Sequence, residues 1–151
     1  MKIYTDGGCA GNPGPGAWAY VMVLNTFQGE KIIAKANGYE PDTTNNRMEL
    51  IAVISALKAL KSMNNVPSSS LVCTDSQYVQ KGISEWINKW KINAWRTSDK
   101  KPVKNKDLWL ELDMLNSELA PEWEWVKGHA GNTYNELCDS MVQEAIATGL
   151  K

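Results

Sequence analysis

The sequence is poor in several features that would place it at once. Cysteine is limited to Cys9, Cys73 and Cys138, far apart and without a CxxC pair. An odd count at that spacing suits neither a disulfide framework nor a zinc site. It implies three reduced thiols in a cytoplasmic protein. No apolar run approaches the roughly 18 residues that would suggest a membrane span. The opening MKIYTDGG reaches Asp6 without the apolar core of a secretory signal. Glycine and proline, 11 and 6 residues, are too few for a collagen-like or low-complexity chain. There is one histidine, His129, and one phenylalanine.

What remains is ordinary in bulk and skewed in detail. The 151 residues are 43% hydrophobic and 22% charged. That fits one globular domain spanning residues 1–151, a monomer by default, with a core that needs no staple. The net charge of −1 hides an asymmetry. Lys89, Lys91, Arg96, Lys100, Lys101, Lys104 and Lys106 stand close together with a single acid, Asp99. Removing those seven bases and one acid from totals of 16 and 17 leaves nine bases and 16 acids. A basic segment on an acidic body is a candidate contact for a polyanion. Seven tryptophans point to stacking as well as packing.

Periodicity predicts an α/β protein. Residues 2–5, 18–24 and 31–39 read as three strands of an antiparallel meander, with the Gly/Pro/Asn-rich residues 7–16 as a loop. Residues 43–61 read as a helix, with Leu50, Val53, Ile54, Leu57 and Leu60 on one apolar stripe. Asn46 and Glu49 have capping-box spacing at its start. A strand over 70–74, one or two helices over 76–90 broken near Gly82, and a polar loop over 94–104 follow. A helix over 106–119, a half-buried strand over 122–126 and a helix over 133–146 complete the chain. Thr133 and Glu136 form a capping box for the last helix, whose stripe is Cys138, Met141 and Ala145. A strand, crossover helix and strand predict a parallel pair, placing the first strand between the two halves of the sheet.

Asp6 and Asp75 then directly follow neighbouring parallel strands. Glu49 lies in the first turn of the intervening helix, and Asp139 in the second turn of the last one. Clustered carboxylates repel one another, and a divalent cation removes that penalty. Oxygen donors suit Mg²⁺ or Mn²⁺, and two such ions can clamp the oxygens of a phosphoryl transfer. The same residues also fit simpler roles. Asp75 with Ser76 could form a turn or helix cap, and Glu49 could serve only the capping box.

The stretches TDGGCAGNPGPGAW, TTNNRMEL, TDSQYV, DKKPVKN-DLW, WEWVKGHAGN and NE-CD resemble, in family order, the motifs of bacterial ribonuclease HI, the type 1 ribonuclease H. The resemblance runs from Met1 to about Ala147. It implies a ribonuclease H-like fold, a five-stranded mixed sheet flanked by helices. It also implies an endonuclease that hydrolyses the RNA strand of RNA–DNA hybrids. Asp6, Glu49, Asp75 and Asp139 would be the metal-binding carboxylates. They would hold two Mg²⁺ ions in the working complex, with Mn²⁺ able to substitute. His129 would stand in a loop near the scissile phosphate, between Gly128 and Gly131, to shuttle a proton or help release product. In-line attack of water would leave 5′-phosphate and 3′-hydroxyl ends.

Asn12, Asn46 and Gln77 would contact the RNA strand, assisted by backbone near Cys9 and Gly11. Amides suit this, since each offers a donor and an acceptor, and the 2′-OH marks RNA. Asn45 would face the DNA strand and Thr44 a DNA phosphate. Trp86 would pack on the DNA backbone, while Lys100, Lys101 and Lys104 on the basic protrusion would neutralise phosphates. Ile92, Asn93 and Ala94 at its tip imply a weaker grip than in the most basic members. A chain beginning almost at its first strand implies no separate N-terminal hybrid-binding domain. No membrane and no obligate protein partner are expected. The rivals are a module that binds hybrids without cutting them, and a nuclease or recombinase acting on DNA.

Overall fold

The computed structural model describes residues 1–63, 69–126 and 132–149. Within them, five strands form one sheet: β1 (Lys2–Cys9), β2 (Gly14–Thr26), β3 (Gly29–Thr43), β4 (Leu71–Thr74) and β5 (Glu122–Trp125). Their order across the sheet is β3-β2-β1-β4-β5. The β1–β2 and β2–β3 pairs are antiparallel, and β1–β4 and β4–β5 are parallel. The first strand therefore lies at the junction of the two halves, as the sequence predicts.

The meander is longer than predicted, because residues 7–16 are not one loop. β1 runs through Asp6, Gly7 and Gly8 to Cys9, which pairs with Gly16 of β2. The glycines mark a close approach. A Cβ on Gly7 would lie 2.6 Å from the Glu49 nitrogen and closer still to the Met48 carbonyl carbon. Helix α1 (Asn45–Lys61) therefore crosses directly over β1.

The α1 stripe is as predicted: Leu50, Val53, Ile54, Leu57 and Leu60 are all buried. Its cap is different. Thr44 is the N-cap, its hydroxyl accepting from the Arg47 N–H at 3.3 Å, so Asn46 and Glu49 form no capping box. Glu49 consequently sits in the second turn. Lys58 and Lys61, near the helix C-terminus, pair with Glu111 and Glu118 of α4 (Lys106–Leu119).

Between β4 and α4 the chain does not break at Gly82. α2 (Gln77–Lys81) passes through a π-helical turn, Gly82–Trp86, into α3 (Ile87–Ile92). The helix α5 (Thr133–Gly149) begins differently from prediction, since Asn132 Oδ1 accepts from the Tyr134 and Asn135 N–H groups. Asn132 replaces the expected Thr133–Glu136 box. The fully buried side of α5 carries Cys138, Val142 and Ile146, with Met141 and Ala145 at its margin. On β5, Trp123 is half-buried but Trp125 is exposed.

The sheet separates two apolar layers. Ile3, Met22 and Val72 pack with the α1 stripe and with Leu108, Trp109 and Leu112 of α4. Tyr4, Val21, Val23 and Cys73 pack on the other face with Cys138, Val142 and Ile146 of α5. Among the described residues no helix is long and apolar enough to cross a membrane.

Candidate active site

The parallel register sets Ile3 beside Val72 and Tyr4 beside Cys73. Continued by two residues, it brings Asp6 level with Asp75 at the carboxyl end of this strand pair. Asp6 lies within β1 rather than after it, while Asp75 does follow β4. Side chains alternate along a strand, so Asp6 faces the same layer as Tyr4, the side covered by α5. There the Cys138 Sγ donates to the Tyr4 carbonyl at 3.5 Å, and Asp139 is the next residue. Burial, then the negative charges of Asp6 and Asp75, push the Cys138 thiol up to about 12. That thiol thus registers both aspartates from one side of the sheet.

Glu49 arrives from the other layer, on α1. Burial pushes its carboxyl above the ordinary value. A hydrogen bond from the Ser76 hydroxyl opposes the rise, and the charge of Asp75 adds to it. Ser76 is also the α2 N-cap, accepting from the Val79 N–H at 3.1 Å. Local spacing reads Asp75 with Ser76 as no more than a turn or helix cap. The hold of Ser76 on Glu49 is a tertiary contact that no local spacing announces.

Asp6, Glu49, Asp75 and Asp139 are all partly exposed, so solvent and ligands reach them. Among the described residues, no three acidic, thiol or imidazole side chains converge closely enough to hold a metal as placed. The donor chemistry still fits a hard divalent cation: these are carboxylate oxygens, and the charge of Asp75 disfavours that of Glu49. His129, Gly128 and Gly131 lie outside the described residues. Nearby, Trp125 Nε1 donates to the Asp75 carbonyl at 3.3 Å and ties β5 to the site.

The predicted amide residues form a connected group beside β1. The Cys9 N–H donates to Asn45 Oδ1 at 2.8 Å, and the Asn45 N–H donates to Asn12 Oδ1 at 3.2 Å. The Cys9 Sγ donates to the Gly11 carbonyl at 2.6 Å. Both amide oxygens are thus engaged within this group. Asn46 and Gln77 are exposed on the first turns of α1 and α2. Thr44 is occupied with its cap.

Trp86 is half-buried, its ring 5.6 Å from that of Tyr78 and 5.9 Å from that of Trp90. Trp90 packs against Trp109 at 5.4 Å, the packing role expected for it. Lys100, Lys101 and Lys104 are exposed on the segment between α3 and α4. There Arg96 bridges Pro102, and the Thr97 N–H donates to the Lys101 carbonyl at 2.8 Å. Lys91 is instead paired with Asp113 at 2.9 Å.

The ribonuclease H family model matches residues 1–147. The chain belongs to the ribonuclease H family. It is 55% identical over 155 aligned positions to a ribonuclease H of Treponema denticola, covering 96% of each protein. It is 54% identical over 147 positions to one of Ehrlichia canis, covering 97% of this chain and 94% of that one. Among solved structures it resembles LC9-RNase H1, a type 1 RNase H with the type 2 active-site motif. That match has a TM-score of 0.85 at 30% identity and covers 97% of this chain and 72% of that one. LC11-RNase H1, solved in complex with an RNA/DNA hybrid, shares the fold with a TM-score of 0.74 at 24% identity over 99% of each chain. As a ribonuclease H this protein is a hydrolase with endonuclease activity.

Proposed function

We propose that residues 1–151 are one catalytic domain that hydrolyses the RNA strand of RNA–DNA hybrids by metal-dependent attack of water. Products would carry 5′-phosphate and 3′-hydroxyl ends. The observation that carries this is the level placement of Asp6, within β1, and Asp75, just after β4, where the parallel pairing of those strands ends, beside the Asn12–Asn45 amide group. Relatives named ribonuclease H over nearly the whole chain support it, as does the hybrid bound by a protein of the same fold.

Asp6, Glu49, Asp75 and Asp139 would hold Mg²⁺, two ions in the working complex, with Mn²⁺ able to substitute. Bound metal would supply Lewis-acid stabilisation and a more acidic water. Ser76 holds Glu49 and limits its rotation. Asn12, Asn46 and Gln77, with backbone at Cys9 and Gly11, would address the RNA strand. Asn45, Thr44 and Trp86 would meet the DNA strand, and Lys100, Lys101 and Lys104 would neutralise phosphates of the hybrid. His129 would move a proton at the departing oxygen or assist release. A cytoplasmic monomer without an obligate protein partner completes the proposal.

The test offers one short labelled sequence as RNA–DNA hybrid, RNA duplex, DNA duplex and single-stranded RNA, with Mg²⁺ and with EDTA. Cutting confined to the RNA of the hybrid, and only with metal, is expected. Metal-independent hybrid binding without cutting would replace this with a binding module. Cleavage of duplex DNA but not hybrid would overturn the substrate assignment.

A further inference from the structure

Packing and stacking, the two tasks open to the tryptophans, fall to different residues of β5. Trp123 and Trp125 alternate with Glu124, so both indoles stand on the sheet face that carries α1 and α4. Trp123 packs on that layer, and its Nε1 donates to Asn116 Oδ1 at 3.0 Å. Trp125 is 40% exposed, the one exposed tryptophan among the described residues. Its Nε1 is spent on the Asp75 carbonyl, so what it offers a ligand is an aromatic face.

That ring walls a cleft of about 180 Å³ between β5 and the π-helical turn that follows α2. Ile83 supplies a second apolar wall, and Gln80 and Ser84 edge the cleft with an amide and a hydroxyl. Pockets for drug-sized molecules run to about 300–1,000 Å³, so this one suits a single ring system. Its charge selects against a phosphate: Glu124 lines it, and no lysine or arginine does among the described residues. An uncharged flat ring with a hydrogen-bonding edge fits both conditions, and a nucleobase is such a ring.

The cleft is continuous with the carboxylate site. Thr74 in its wall immediately precedes Asp75, and Trp125 lies opposite Thr74 in the β4–β5 register. Gln80 stands three residues beyond Gln77, on the same side of α2. The Ser84 hydroxyl donates to the Gln80 carbonyl at 2.7 Å. A polar row thus leads from the start of α2, where Ser76 holds Glu49, to the mouth of the cleft.

We propose that Trp125, Ile83 and Gln80 form a subsite for one unpaired base, receiving a single-stranded nucleotide where it leaves the duplex beside the Asp6–Asp75 site. This rests on the hybrid-cleavage reading above and adds a substrate preference to it: a hybrid with an unpaired tail over one with flush ends. Trp125 and Ile83 take the face of the ring, and the Gln80 amide, donor and acceptor at once, meets its edge. Every base has an aromatic face, so the subsite discriminates little between sequences.

Binding is measured in EDTA with a short labelled hybrid that is flush-ended or carries a three-nucleotide tail, placed on each of the four strand ends in turn. The same tails are also made abasic. About ten-fold tighter binding of at least one tailed hybrid is expected, equal to ~1.4 kcal/mol and within the range for one stacked base. Abasic tails should bind as the flush hybrid does. Trp125→Phe and Trp125→Leu both lose the bond to the Asp75 carbonyl, but only phenylalanine keeps an aromatic face. The preference should survive in the first and vanish in the second. Should Trp125→Leu melt early, Ser84→Tyr, at an exposed helix position, fills the cleft from the opposite wall and should abolish the preference by itself.

No preference for any tail overturns the subsite. So does a preference that abasic tails retain, or one that persists in Trp125→Leu or in Ser84→Tyr. Cleavage of the flush hybrid by the parent in Mg²⁺ is followed alongside, and its presence in those cases leaves the hybrid assignment standing. A parent that leaves flush and tailed hybrids alike uncut removes that assignment, and the subsite with it.

Discussion

Gly82→Ala sets two effects of opposite sign against each other. In an ordinary helix interior the change stabilises by about 1 kcal/mol, because alanine is the better helix former. Here a Cβ would lie 2.6 Å from both Cζ2 and Cζ3 of Trp109 and nearer still to Cη2. Trp109 is 0% exposed, tied through Nε1 to Tyr78, and flanked by the rings of Tyr78 and Trp90 at 5.3 and 5.4 Å. The indole must retreat by about an ångström into a close-packed layer, and overpacking of this kind costs about 1–3 kcal/mol or more. Taking the upper end and subtracting the propensity gain leaves a net loss of about 2 kcal/mol. At about 2–4 °C per kcal/mol, Tm should fall by roughly 4–8 °C. Denaturant and thermal unfolding of Gly82→Ala, Trp109→Phe and the double variant measure it. In the double variant the six-membered part of the indole is gone, so the two changes should be strongly non-additive. A Gly82→Ala protein as stable as its parent, or additive losses, would refute the close-packing account of the π-helical turn.

Asp75→Asn should lower Mg²⁺-dependent turnover by at least about 100-fold, since even outer partners of metal ligands are worth 10–100-fold. Circular dichroism should stay native, and retained activity would remove Asp75 from the site. Ala120 ends α4 in a left-handed conformation at φ 45°, so Ala120→Gly should stabilise by about 0.5–1 kcal/mol; a lower Tm would contradict this. The Arg47 guanidinium holds the Asp107 carboxyl below its ordinary value. Stabilisation from that pair is therefore present above about pH 4 and lost as pH falls through the lowered value. The difference in unfolding free energy between the parent and Asp107→Asn should stay under about 1 kcal/mol, be flat from neutrality to pH 5, and shrink below pH 4. A difference growing on acidification would reverse the sign. Burial raises all three thiols, those of Cys73 and Cys138 to about 11 and 12, but only Cys9 is partly accessible. Iodoacetamide at neutral pH should give a single adduct by mass spectrometry, at Cys9, and further labelling of the native protein would contradict the packing around α5.

Strand order, the α1 stripe and the place of Asp6 and Asp75 on neighbouring parallel strands were legible because each rests on local pattern. Alternation marks a strand, a 3.6-residue period marks a helix, and an acid next to a strand is visible at once. Strand length was not legible at Gly7 and Gly8. Glycine there answers the passage of α1 over β1, a distant event that looks in sequence like a turn. The caps failed for a related reason. Thr44 and Asn132 stand one or two positions before the residues chosen from spacing, and the chain's entry into the helix decides which side chain meets the first N–H groups. The links from Ser76 to Glu49 and from Asn105 to Arg47 and Tyr78 were hidden because their partners are brought together only by the finished sheet.

The place of β1 in the middle of that sheet governs when the protein becomes competent during synthesis. Its antiparallel neighbour β2 follows at once, so one edge is covered early. The other edge must wait until Leu71–Thr74 has been made. Until then that edge of β1 has no partner strand, a template for unwanted pairing, and the chain has only half of its Asp6–Asp75 pair. A chain cut short before β4 thus leaves that edge of β1 uncovered and lacks Asp75, one of the two aspartates that the finished sheet sets level.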